Sequence, residues 1–248
     1  MPPVGDRALY VVGGKPSRQQ QLGRLLYDKF DTSFFLTESM RQAGTSNSEF
    51  RGILNHLAAG STTLQDWKVL GTRSLSKLDS TTRESFMMSG TKLCARKVDS
   101  VQFNEQGLRR TQNPILVTKA VNNNGQAARF SSDKAGGLLN SLPLAKGAKV
   151  VLTANLWPEA GLINGSQGFV KYIVFHEDLV PPASTLPALL VVCFLNYKGP
   201  PFIEGEVGTV PIYPVQREWY DKGNRYSRLM LPLLLGYSLT IHKSKDKI

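Results

Sequence analysis

At Pro114 the sequence changes its grammar, and that change limits the folds open to it. Beyond this point prolines recur at 181, 182, 187, 200, 201, 211 and 214. Proline fixes φ and removes an amide donor, so no long helix fits between them. The apolar segments they separate are short: Ala148–Thr153, Gly168–Phe175, Leu186–Leu195 and Val207–Tyr213. These read as strands of a small β-barrel. Asn164-Gly165, between the first two, is a tight-turn signal, because both residues tolerate positive φ. Ahead of them Ile115–Thr118 reads as a strand, Asn122–Gly125 as a turn and Ser131–Ser141 as a loop.

Before Pro114 the periodicity is helical. Ser17 heads a helix through Leu22, Leu25 and Leu26 that ends near Phe30. Phe34–Thr37 follows as a short buried strand. Phe50, Ile53, Leu54, Leu57 and Ala58 fall on one helical face, with Ser46 or Asn47 as the cap and Gly60 as the stop. Thr63 and Asp66 have the spacing of a capping box, opening a helix with Trp67 and Leu70 on its apolar side. Ser74–Ser89 is polar and carries no clear pattern. Thr91–Ala95 reads as a strand, followed by a helix through Val98, Val101 and Leu108. Strands alternating with helices predict an α/β layer with a mainly parallel sheet. At the far end the apolar run Leu229–Leu235 passes through Gly236-Tyr237-Ser238 into Leu239-Thr240-Ile241. It then turns polar at His242-Lys243-Ser244. A buried strand feeding a basic, hydroxyl-bearing loop has the layout of a ligand loop.

Charge points to the class of ligand. Thirty Lys and Arg against nineteen Asp and Glu give +11 and a pI near 9.7. That balance favours a polyanion, nucleic acid before an anionic membrane surface, since no basic amphipathic helix stands out. The longest apolar run contains Pro232 and is shorter than the ~20 residues of a membrane span. Met1–Asp6 lacks the features of a secretory signal. Cys94 and Cys193 form no disulfide framework, and His56, His176 and His242 are too scattered for a metal site. The expectation is a soluble intracellular protein.

Catalytic motifs are wanting. Gly14-Lys15 suggests a phosphate loop, but Leu9 stands at the leading Gly position and Pro16 at the hydroxyl position. His176-Glu177-Asp178 closes a strand with acids, yet no second His makes it a zinc helix, and no GxSxG elbow occurs.

Six blocks in order carry a resemblance: PPVGDRALY (2–10), FFLTESMRQ (34–42), FRGILNHLAAG (50–60), LAKGAKVVLTANLW (144–157), GLINGSQGFV (161–170) and SRLMLPLLLGYSLTIHKS (227–244). Together they resemble the C-terminal half of the Pif-type (petite integration frequency) DNA helicases, in the RecD-like branch of superfamily one. The resemblance implies an α/β second RecA-like lobe with an inserted small Src-homology-3-like barrel. It implies the tail of the first motor lobe in residues 1–33, an incomplete second lobe in 34–145 and 227–248, and the insert in 146–226. By this resemblance Arg41 is the arginine finger. Thr240, His242, Lys243 and Ser244 contact the phosphates of single-stranded DNA. Lys245-Asp246 stands where the family has Gln-Gly. The intact relative is an ATP- and Mg2+-dependent 5′-to-3′ DNA helicase of DNA repair, recombination and genome or telomere maintenance, in nucleus or mitochondrion, acting on single strands or junctions. This chain is expected to lack the first motor lobe, to hold no complete nucleotide site and not to hydrolyse ATP alone. The alternatives are a non-catalytic single-strand-binding module and a decayed transposon-related remnant.

Overall fold

The computed structural model describes residues 17–35, 44–175 and 186–241, with the side chains of Met87 and Met88 left out. The chain divides into two units, Met1–Leu78 and Asp79–Ile248.

In the first unit helix starts follow side-chain caps. The Ser17 hydroxyl accepts from Gln20 N (3.2 Å) and the Gln20 amide oxygen from Ser17 N (2.9 Å), opening α1, Arg18–Tyr27. Helix α2, Ser48–Ala59, ends at Gly60, whose φ of 68° is left-handed, a conformation glycine adopts without steric cost. Thr63 and Asp66 form the expected capping box at α3, Leu64–Gly71. The Asp66 carboxylate also hydrogen-bonds His56 Nδ1 at 2.9 Å, tying α3 to α2. That bond sets the phase of α3: Asp66 turns inward, and Trp67, one residue on, is 73% exposed rather than packed. Phe34 and Phe35 are exposed and belong to no strand, having no partner strand among the described residues. The rest of that predicted strand, Leu36 and Thr37, lies outside them.

The second unit opens with α4, Ser80–Ser89, inside the stretch that showed no pattern; Asp79 caps it by accepting from Thr82 N (2.8 Å). Strand β1, Lys92–Cys94, and α5, Lys97–Arg109, follow as expected. Next come β2 (Leu116–Lys119), β3 (Val121–Asn122), β4 (Ser141–Leu144), β5 (Lys149–Leu152), β6 (Gln167–Val174), β7 (Leu189–Phe194) and β8 (Thr209–Ile212). The last four match the predicted β segments. A hairpin that no sequence signal marks follows, β9 (Val215–Asp221) and β10 (Asn224–Met230). Its two-residue loop, Lys222-Gly223, has positive φ at both positions, the geometry that matches strand twist. The final strands are β11 (Leu233–Leu235) and β12 (Ser238–Thr240). At Asn164-Gly165 a turn forms, with Ser166 N donating to Ile163 O (3.0 Å), and Gly165 alone takes positive φ.

These strands form four sheets, in orders β1-β12, β3-β10-β9, β11-β5-β6-β7-β8 and β2-β4. Of the mainly parallel sheet expected, the described residues form one parallel pair, β1 with β12, and the other strand pairings are antiparallel. The five-stranded antiparallel sheet does not close into a barrel: β11 and β8 are its edges. Pro211 lies within β8, and a residue without an amide donor suits an edge. The core gathers around this sheet, with Leu144, Val150, Leu152, Leu190, Val192, Ile212 and Leu233 all buried.

One run crosses three of the sheets. The closing segment, expected as a single strand, is cut by Pro232 and Gly236 into β10, β11 and β12, each in a different sheet. Every residue from Met230 to Gly236 is buried. At Gly236 a Cβ would stand 3.0 Å from Val151 Cγ2 and 3.1 Å from Lys149 Cγ, so the chain turns there only because no side chain is present.

Two fully buried cations lie at this run, Arg228 within it and Lys149 beside Gly236, and neither meets a carboxylate among the described residues. Arg228 donates to the carbonyls of Leu138 (2.8 Å), Ala127 (2.7 Å) and Phe130 (3.1 Å) and to Asn122 Oδ1 (3.0 Å), beneath the Trp219 ring. Lys149 donates to the Ser89 and Gly90 carbonyls and to Thr91 Oγ1. The first two sit at the C-terminus of α4, the negative end of its dipole.

Replacing Arg228 with Met leaves several buried carbonyls without donors. It is expected to lower stability by about 3 kcal/mol, read as a shift in the urea midpoint. Burial holds the Lys149 ammonium below the ordinary lysine range. A folded pKa below the unfolded one means stability is lost as pH falls through this range and regained as it rises toward the unfolded value. Urea midpoints of wild type and Lys149→Met, compared between neutral pH and about pH 9.5, should therefore move in favour of wild type. An unchanged difference refutes the assignment.

Candidate nucleic-acid cleft

The C-terminal ends of parallel strands are where α/β sheets place ligands, because the chain diverges there into loops and helix starts. Here β1 leads into α5 and β12 into Ile241, and a cleft of about 400 Å³ opens beside them. Helix α5 lines it with Lys97, Ser100, Val101, Asn104 and Glu105. Facing α5 are Ser132 and Leu139 from the loop before β4, then Ser141, Leu142 and Pro143 of β4. Leu234, Leu235 and Ser238–Thr240 complete the lining.

Several contacts fix this geometry. The Asn104 amide donates to Ser238 O and accepts from Ser238 N, both at 2.9 Å, clamping β12 onto α5. Cys94 Sγ lies 3.2 Å from Ser238 Oγ across the parallel pair. Gly107 lets Tyr237 press against α5: a Cβ there would sit 2.4 Å from the ring. Arg228, by holding Leu138 O, anchors the loop that carries Ser132 and Leu139.

The chemistry rests on two hydroxyls. Ser100 and Thr240 are each 8% exposed, and neither hydroxyl has a hydrogen-bond partner among the described residues. With no protein partner, both hydroxyls are left to meet whatever polar group, water or ligand, enters the cleft beside them. Lys97, exposed in the first turn of α5, adds a cation beside them. Among the described residues no cluster of His, Cys, Asp and Glu could hold a metal ion.

Of the predicted site residues, Thr240 lies in the cleft. Arg41, His242, Lys243 and Ser244 lie outside the described residues. Ser100 and Asn104 were not anticipated. The available signal was the polar stripe Lys97, Ser100, Asn104 at helical spacing on α5, which the apolar positions Val98, Val101 and Leu108 drew attention away from.

No protein-family model matches the chain. The chain is 30% identical over 158 residues to the ATP-dependent DNA helicase PIF1 of Danio rerio, a match covering 62% of this chain and 21% of that protein. The chain thus spans about a fifth of the length of this curated relative. Among solved structures, Bacteroides sp. Pif1 in complex with ADP-AlF4 superposes with a TM-score of 0.55 at 20% identity, covering 94% of this chain and 51% of that one. Bacteroides Pif1 bound to ssDNA gives 0.51 at 20% identity, covering 94% and 50%. The chain is thus similar in sequence to a PIF1 helicase over part of its length and shares the fold of about half of the Bacteroides Pif1 chain.

Proposed function

We propose that this chain is the strand-binding portion of a Pif-type 5′-to-3′ DNA helicase and holds single-stranded DNA in the α5–β12 cleft. The observation that carries this reading is the pair of Ser100 and Thr240 hydroxyls, open to the cleft and without a partner among the described residues, beside Lys97. Phosphate oxygens accept hydrogen bonds, so two hydroxyls and an ammonium on one rim suit a strand's backbone. Ser244 and Lys243 follow Thr240 closely in sequence and extend the same chemistry, with His242 between. The net charge of +11 supports a polyanionic partner, and the Bacteroides relative with bound ssDNA supports the same class.

In this reading residues 1–33 are the tail end of the first motor lobe, 34–145 and 227–248 belong to the second lobe, and 146–226 are an insert. ATP and Mg2+ serve the complete motor, with Arg41 reaching the nucleotide. The sequence contains no GxxxxGK[ST], so the cleft's task in this chain is strand binding rather than hydrolysis. Junction binding, work in DNA repair, recombination or telomere maintenance, and a nuclear or mitochondrial location belong to the same proposal. Among the described residues no helix is long and apolar enough to cross a membrane. A second reading, a non-catalytic single-strand-binding module, is favoured by the net charge of +11.

The test is fluorescence anisotropy with a labelled oligo-dT across a salt series. Wild type should bind with a steep salt slope. The double variant Ser100→Ala, Thr240→Val should bind about tenfold more weakly, with ATP neither required nor hydrolysed. Absence of binding refutes the strand-binding reading. DNA-stimulated ATP hydrolysis by the purified chain refutes the claim that it is no motor alone.

A further inference from the structure

The cleft is built for more than phosphate. A track that reads only the backbone is polar and cationic along its length. Here the hydroxyl rim gives way to an aliphatic interior of Val101, Leu139, Leu142, Pro143 and Leu239. A phosphate in that interior would be desolvated without compensation. At about 400 Å³ the space falls in the range that small-molecule sites occupy. It suits one nucleotide with its base turned inward. Among the described residues no aromatic ring lines it, so the base is gripped between aliphatic side chains rather than stacked on a platform.

Charge inside the cleft is divided. Lys97 lies in the first turn of α5, next to the Ser100 hydroxyl, while Glu105 stands eight residues further along. At 1.5 Å per residue that separates them by about 12 Å along the axis. The cationic end suits the phosphate, and the anionic end faces whatever lies beyond the sugar. Glu105 forms no ion pair among the described residues and is exposed to the mouth of the cleft. An ionised carboxylate only accepts hydrogen bonds. Cytosine, adenine and guanine each offer an exocyclic amino group, whereas thymine offers carbonyl oxygens at its edge and only the ring N3–H, set between them, as a donor.

We propose that the cleft takes an unstacked nucleobase of the bound strand, and that Glu105 makes it prefer an amino-bearing base over thymine. The proposal rests on the strand-binding reading above and adds base selection to it. Its basis is the juxtaposition of the open Ser100 and Thr240 hydroxyls, the aliphatic interior and a carboxylate without a partner.

The experiment uses the full chain and three labelled 12-mers at one salt concentration and slightly alkaline pH: oligo-dC, oligo-dT, and oligo-dT carrying abasic sites. Oligo-dC should bind about five- to tenfold more tightly than oligo-dT, and the abasic strand more weakly than either. Glu105→Gln, on an exposed position, should bring the dC-to-dT ratio to within about twofold, because an amide both donates and accepts. Equal binding of all three strands overturns base recognition while leaving strand binding intact. A preference for dT, or a dC preference that survives in Glu105→Gln, overturns the role of Glu105. Failure of every strand to bind removes the underlying reading and this inference with it.

Discussion

The second unit depends on how one short run is shared. From Asn224 to Thr240 the chain gives one strand to each of three sheets, so none of the three is complete without it. Pro232 and Gly236 make the changes of sheet possible by ending each ladder where it must end. Main-chain groups at the corners are satisfied across the breaks: Thr153 N donates to Pro232 O (2.8 Å), Gly236 N to Lys149 O (2.8 Å) and Lys92 N to Tyr237 O (3.0 Å). The cleft is a by-product of this stitching, since β11 and β12 form one side of it.

Arg228 and Lys149 show how the interior tolerates charge. A buried ion usually needs a counter-ion, yet both cations here face carbonyl oxygens of turns and a helix end. The arrangement suits a chain poor in acids, and it converts charge into fixed geometry at two corners of the stitched run. It also means that the net charge of +11 overstates what a polyanion meets at the surface.

Local signals were the legible ones. Ser17 with Gln20, Thr63 with Asp66, and Gly60 announced helix ends, and the proline-spaced apolar segments announced β5 to β8. What escaped had no local mark. Helix α4 has its apolar residues, Phe86, Met87 and Met88, consecutive rather than at helical spacing, so it has no periodicity to read. The β9–β10 loop is Lys-Gly rather than the Asn-Gly that signals such turns, and its strands mix charged and aromatic residues without a clean apolar alternation. Trp67 was misplaced because apolarity suggested burial while the Asp66–His56 bond set the helix phase. In the cleft, Thr240 was reached through the resemblance. Ser100 and Asn104 were not, because Asn104 finds its partner 134 residues away and Ser100 is notable only for the partner it lacks.

The pairing of β1 with β12 has a consequence for biosynthesis. Cys94 and Thr240 are register partners, so nearly 150 residues must be made before β1 meets its neighbour. Closing so long a loop is slow compared with local structure. On the ribosome, α5 and the five-stranded sheet's middle strands can form while the parallel pair cannot. The cleft is therefore among the last parts of this unit to exist, and a chain released before Thr240 emerges has the scaffold without the site.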